Sequence, residues 1–94
     1  MVYVYILKSR KDGKFYTGST TDLKRRLREH NDGKSKSTRY RRPLILVYYE
    51  ELSSIGQARA REKALKHPTL GKHKAVLINQ FPKEKLSIFE NLDD

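Results

Sequence analysis

One fifteen-residue stretch, Tyr16 to His30 (Y-T-G-S-T-T-D-L-K-R-R-L-R-E-H), restricts the folding options of this chain more than any other. It begins as a strand and crosses a Thr/Thr/Asp turn, where Asp22 or a neighbouring Thr can cap a helix. A basic helix then runs to about Asn31, and Asn31-Asp32-Gly33 is a ready stop. At about 100° per residue, Leu23, Arg26, Leu27 and His30 fall within one arc of about 100°. The helix face that should meet the core therefore carries an Arg and a His. Two readings fit. Arg26 snorkels from the edge of the stripe and His30 is a satisfied boundary residue, or both are held inward for chemistry.

Charge narrows the choice of partner. The 94 residues carry a formal net charge of +10. Residues 1–42 hold 13 Lys and Arg against 4 Asp and Glu, whereas residues 43–94 hold 8 against 7. A basic half suits a polyanion, nucleic acid before an anionic membrane, because no basic amphipathic helix stands apart from the fold. No apolar run is long enough to span a bilayer, and there is no signal-peptide pattern. The absence of Cys removes disulfides and thiolate metal sites. One small cytoplasmic domain is expected.

Along the chain, Val2 to Lys8 alternates as a strand, with Val2, Val4 and Ile6 on one face and Tyr3, Tyr5 and Leu7 on the other. Asp12-Gly13 predicts a two-residue hairpin turn pairing Lys11 with Lys14. That register puts Tyr16 and Gly18 on the face of Tyr3 and Tyr5. A glycine inside a strand points to a close approach at Gly18. Gly33 to Arg42 has no apolar periodicity and reads as a mobile basic loop. Its Tyr40 either stacks on a base or packs locally.

Leu44 to Glu50 is apolar on both faces, as in a central strand. Ser54 to Gln57 matches a capping box for a helix running to about His67 and ended by Pro68. In that helix Ile55, Ala58, Glu62 and Leu65 share an arc of about 80°. Glu62 thus sits within the apolar stripe and needs a cation: an Arg, a Lys or a metal, with Arg26 and Arg61 the obvious candidates for an internal pair. Leu70 to Phe81 reads as a further helix, Lys85 to Glu90 as an edge strand or last turn, and Leu92 to Asp94 as frayed. The fold class is α+β: a small antiparallel sheet of about three strands flanked by helices, in the order β-β-α-β-α-α.

Tyrosines on one hairpin face, Arg26 and His30 on one helix and Glu62 on another would converge at one end of such a sheet. This set suits phosphodiester cleavage, which needs a base, a cation and a metal. The chain resembles a GIY-YIG nuclease domain, in detail the small stand-alone bacterial (UPF0213-like) members. The resemblance rests on Tyr3-Val4-Tyr5, Tyr16-Thr17-Gly18, Arg26 with His30 one turn later, and Glu62 within Ala58-Arg59-Ala60-Arg61-Glu62-Lys63. It covers Val2 to about Ile78, and Tyr3 stands where the family usually has Gly.

The resemblance implies a domain over residues 1–82 with a short extension over 83–94. It implies hydrolysis with one divalent metal, Mg²⁺ or Mn²⁺, held by Glu62. Tyr5 or Tyr16 would be the base. Arg26 would neutralise the scissile phosphate, and His30 would hold a tyrosine proton or protonate the leaving oxygen. Asn79 is a looser match to a late family Asn. Lys24, Arg25, Arg28, Lys34, Lys36, Arg39, Tyr40, Arg41 and Arg42 would hold the backbone of a nucleic acid, DNA more than RNA, with little sequence reading. Characterised family nucleases usually carry a separate recognition module. The alternative is therefore a binding module that does not cut, or cuts only with a protein partner supplying specificity.

Overall fold

The alternation in the first residues builds the middle of the sheet. A computed structural model describes residues 1–67 and 71–90. Strand β1 (Val2–Ser9) lies between β2 (Phe15–Thr20) and β3 (Leu44–Leu52), both antiparallel to it. The helices are α1 (Leu23–Asn31), α2 (Ile55–Lys66), α3 (Gly71–Gln80) and α4 (Glu84–Glu90), and a single 3₁₀ turn covers Arg39–Arg41. Among the described residues, no helix is long and apolar enough to cross a membrane.

The two faces of β1 seed two cores. Val2, Val4 and Ile6 pack with Tyr48, Ala58 and Leu65, and Leu77, Ile78 and Phe81 close over them. Tyr5 and Leu7 pack with Leu23, Leu27 and Leu44, joined by Phe89. So α2 and α3 cover one face, and α1 and α4 the other. The central strand is β1, not β3 as the doubly apolar Leu44–Glu50 run predicts. β3 is apolar on both faces because α3 and α4 cover those faces of an edge strand. Lys85 to Glu90 lies in a helix rather than a strand. Its Leu86 and Phe89, three residues apart, share one face.

The hairpin register also differs. Lys8 pairs with Phe15, and Ser9 N donates to Lys14 O at 2.9 Å. The loop is therefore two residues longer than the Asp-Gly signal predicts. Ser9 Oγ accepts from the backbone N–H groups of Lys11 and Asp12 at 3.1 and 3.2 Å, which stabilises the wider turn. Gly13 supplies the positive φ of 72° that the turn requires. A slip of two residues preserves the faces, so Tyr16 and Gly18 still lie beside Leu7 and Tyr5.

Both long caps form as the sequence predicts. Asp22 accepts from Arg25 N in α1, and Ser54 accepts from Gln57 N in α2. Gln57 reaches back to Ser53 rather than to Ser54. Ile55, on the predicted inner arc of α2, is in fact exposed. The readings on Pro68, Leu70 and Leu92 to Asp94 fall outside the described residues.

Candidate active site

The site grows from one missing side chain. Gly18 stands opposite Tyr5 across the β1–β2 ladder. A Cβ on Gly18 would lie 2.6 Å from the Tyr5 hydroxyl and 3.1 Å from the Tyr16 ring. Glycine therefore lets the Tyr5 phenol lie across β2, and the partner making the close approach is this phenol. The Tyr5 hydroxyl hydrogen-bonds His30 Nε2 at 2.9 Å. The ring centroids of Tyr16 and His30 are 5.1 Å apart in an edge-on contact.

His30 is fully buried, one turn after Arg26 on the core side of α1. Its other ring nitrogen, Nδ1, bonds Thr38 Oγ1 at 2.7 Å. Both nitrogens are thus engaged by the protein. Burial, followed by the nearby Arg26 charge, pushes His30 down to about 4 from its ordinary 6.5. Burial pushes the Tyr5 phenol up to about 12, against a smaller opposing effect of a hydrogen bond from Arg26. The two shifts run in opposite directions, so moving the Tyr5 proton onto His30 is uphill. The hydrogen bond to His30 fixes the position of the Tyr5 hydroxyl.

The depressed His30 has a consequence for stability. Between pH 6.5 and about 4 the unfolded chain takes up a proton at this position that the folded chain refuses. Stability therefore falls as the pH drops through that window. Urea midpoints measured from pH 7 to 4.5 should fall more steeply for the wild type than for His30→Gln. Parallel slopes would contradict the burial of a neutral imidazole.

Arg26 is half-buried, pairs with Glu29 at 3.2 Å and lies near enough to Tyr5 and Tyr16 for their charges to act on one another. Glu62 approaches the edge of β2 from α2, on the other side of the sheet. Burial acts to raise its carboxyl, but hydrogen bonds from Lys66 and Ser19 outweigh it and hold the group below the usual range. The Lys66 contact is 2.8 Å. The pairing of Glu62 with Arg26 or Arg61 does not form. Arg26 turns to Tyr5 and Glu29, and Arg61 grips Glu50 with contacts of 2.9 and 3.0 Å.

The structure thus brings together Tyr5, Tyr16, Arg26 and His30, with Glu62 near enough for its charge to act on Tyr5. Among the described residues no three of His, Cys, Asp and Glu converge. Glu62 would therefore hold a cation through a single ionised carboxylate. That donor set fits a hard ion that keeps waters and takes phosphate oxygens as further ligands. Lys66, which now pairs with that carboxylate, is half-exposed.

Asn79 is exposed on α3, whose Leu77 and Ile78 pack on the α2 side of the sheet. Lys24, Arg25 and Arg28 are exposed on α1, and Lys34 and Lys36 in the loop after it. That loop is tied to the body of the fold. Thr38 is buried against His30, Ser9 Oγ donates to Arg41 O at 2.6 Å, and Arg41 pairs with Asp12 at 3.1 Å. Thr38, Ser19 and Lys66 were missed in the sequence. Only Lys66 carried a signal, as the i,i+4 partner of Glu62.

The family model described as the GIY-YIG catalytic domain matches residues 1–75. A UPF0213 protein of Streptococcus pyogenes serotype M5 (strain Manfredo) is 44% identical over 84 residues, covering 88% of this chain and 90% of that protein. The UPF0213 protein of S. pyogenes serotype M3 (strain SSI-1) is equally similar, at 44% over 84 residues. The solution NMR structure of the UPF0213 protein BH0048 from Bacillus halodurans has a TM-score of 0.52 and 39% identity, covering 85% of this chain and 86% of that one.

Proposed function

This chain belongs to the GIY-YIG catalytic-domain family, and we propose on that footing that it is a metal-dependent nuclease. It hydrolyses phosphodiester bonds of nucleic acid, DNA more than RNA, with little sequence preference. The observation that carries this reading is the Tyr5 phenol, hydrogen-bonded to the buried His30 at 2.9 Å with the Arg26 charge acting on it. Packing alone requires no cation and no imidazole at a tyrosine hydroxyl. Hydrolysis requires an acceptor for the water proton and a positive group for the charge developing on phosphate.

Tyr16 is the base in this reading. It is the more exposed of the two tyrosines, whereas the Tyr5 hydroxyl is already occupied. The attacking water passes a proton to Tyr16 as its oxygen bonds to phosphorus and the bond to the leaving oxygen breaks. A phenol acting as a base near neutral pH needs positive charge beside it, which Arg26 together with a cation held by Glu62 would provide. The Arg26 fork also suits two phosphate oxygens. Tyr5 and His30 fix the positions of Arg26 and Tyr16. A divalent cation held by Glu62, Mg²⁺ or Mn²⁺, would polarise the scissile phosphate and offset its developing charge.

Purified protein incubated with labelled single-stranded, duplex and branched DNA should give products with Mg²⁺ or Mn²⁺ and none with chelator. Tyr16→Phe should slow that cleavage about 10²- to 10⁴-fold. Wild-type binding without products on every substrate would favour a non-cutting module.

A further inference from the structure

Tyr40 is the most exposed aromatic side chain among the described residues, at 70%. Its local contacts are with Arg39, whose guanidinium lies over the ring at 4.8 Å and donates to its hydroxyl at 2.8 Å. The segment beneath it is held firmly. Arg42 Nε donates to Arg39 O at 2.7 Å, and Ser9 Oγ donates to Arg41 O at 2.6 Å. An open aromatic ring on a rigid base is a stacking platform rather than a stray loop residue.

The ring borders a concavity of about 590 Å³ lined also by Lys11, Asn31, Arg39, Arg42 and Pro43. Lys11 and Arg42 suit phosphate, and a ring backed by a guanidinium suits a nucleobase face. A base within a duplex is stacked on both faces, so only an unpaired or splayed base offers a face to such a ring. The loop that carries the platform also reaches the chemistry. Thr38, two residues before Tyr40, bonds His30, which bonds Tyr5.

We propose that Tyr40 and this concavity form a stacking subsite for an unpaired nucleotide. The substrate class is then a nucleic acid with a single-stranded segment beside the cut. This rests on the nuclease reading for its meaning, but its test does not depend on turnover.

Binding is measured by fluorescence anisotropy in chelator, with a labelled single-stranded DNA oligomer and the fully paired duplex of the same sequence. Tyr40→Ala should weaken single-strand binding about 5- to 150-fold, the range expected for losing one stacked base, and change duplex binding less than two-fold. Tyr40→Phe should keep the single-strand affinity. Lys11→Ala should weaken both equally and lower the salt dependence. Unchanged single-strand binding by Tyr40→Ala, or equal losses on both probes, would overturn the subsite. A stacking preference in a protein that never cuts would leave the subsite standing and remove the nuclease reading.

Discussion

Arg26→Ala is expected to slow phosphodiester cleavage about 10²- to 10³-fold, the usual cost of deleting one preorganised group that stabilises transition-state charge. It should leave the fold nearly unchanged. The Arg26–Glu29 pair is about one-third exposed on both sides, and such pairs contribute about 0–1 kcal/mol. Arg26→Lys should recover only part of the rate, because an ammonium lacks the planar fork that meets two phosphate oxygens. Single-turnover cleavage beside a thermal melt separates the two effects. Unchanged cleavage with a lowered melting temperature would make Arg26 a structural residue.

The second large effect is expected at Gly18. Its Cβ would sit 2.6 Å from the Tyr5 hydroxyl and 2.8 Å from Tyr5 Cζ. Tyr5 is 1% exposed, and its ring is rigid and packed on Leu23 and Leu27 within one core. It has nowhere to retreat. Overpacking of this kind typically costs about 1–3 kcal/mol, and relief requires moving the phenol away from His30. Gly18→Ala should therefore lower the urea midpoint and also reduce cleavage in molecules that remain folded. Full stability and full activity in that variant would mean that Tyr5 does not lie across β2 as described.

Much of this could be read from residue order alone, for physical reasons. The faces of β1 follow from a side-chain period of two, which survives a register error of two residues. That is why Tyr5, Tyr16 and Gly18 were placed together despite a misjudged turn. Asp22 and Ser54 announced their helices because capping chemistry is local. What was not legible depended on distant partners. Ser9 widened the hairpin through a side-chain hydrogen bond that no turn signature encodes. The Leu44–Glu50 run looks central because helices, not strands, cover its faces. Thr38 sits eight residues beyond His30 in a loop without periodicity, so nothing marked it as the second partner of the imidazole. Glu62 was recognised as an anomaly in an apolar stripe. Its partner is a lysine, Lys66, which the i,i+4 rule puts in reach, and neither Arg26 nor Arg61.

The comparison to make first is cleavage by wild type and by Glu62→Gln, with Mg²⁺, with Mn²⁺ and with chelator, alongside DNA binding in chelator. Glu62→Gln preserves shape and removes the charge that would hold a cation. The expected result is metal-dependent products from the wild type, at least about 10²-fold less from the variant, and equal DNA binding by both. Equal cleavage by the two proteins, with or without chelator, would contradict a metal held at Glu62 and the proposed nuclease mechanism with it.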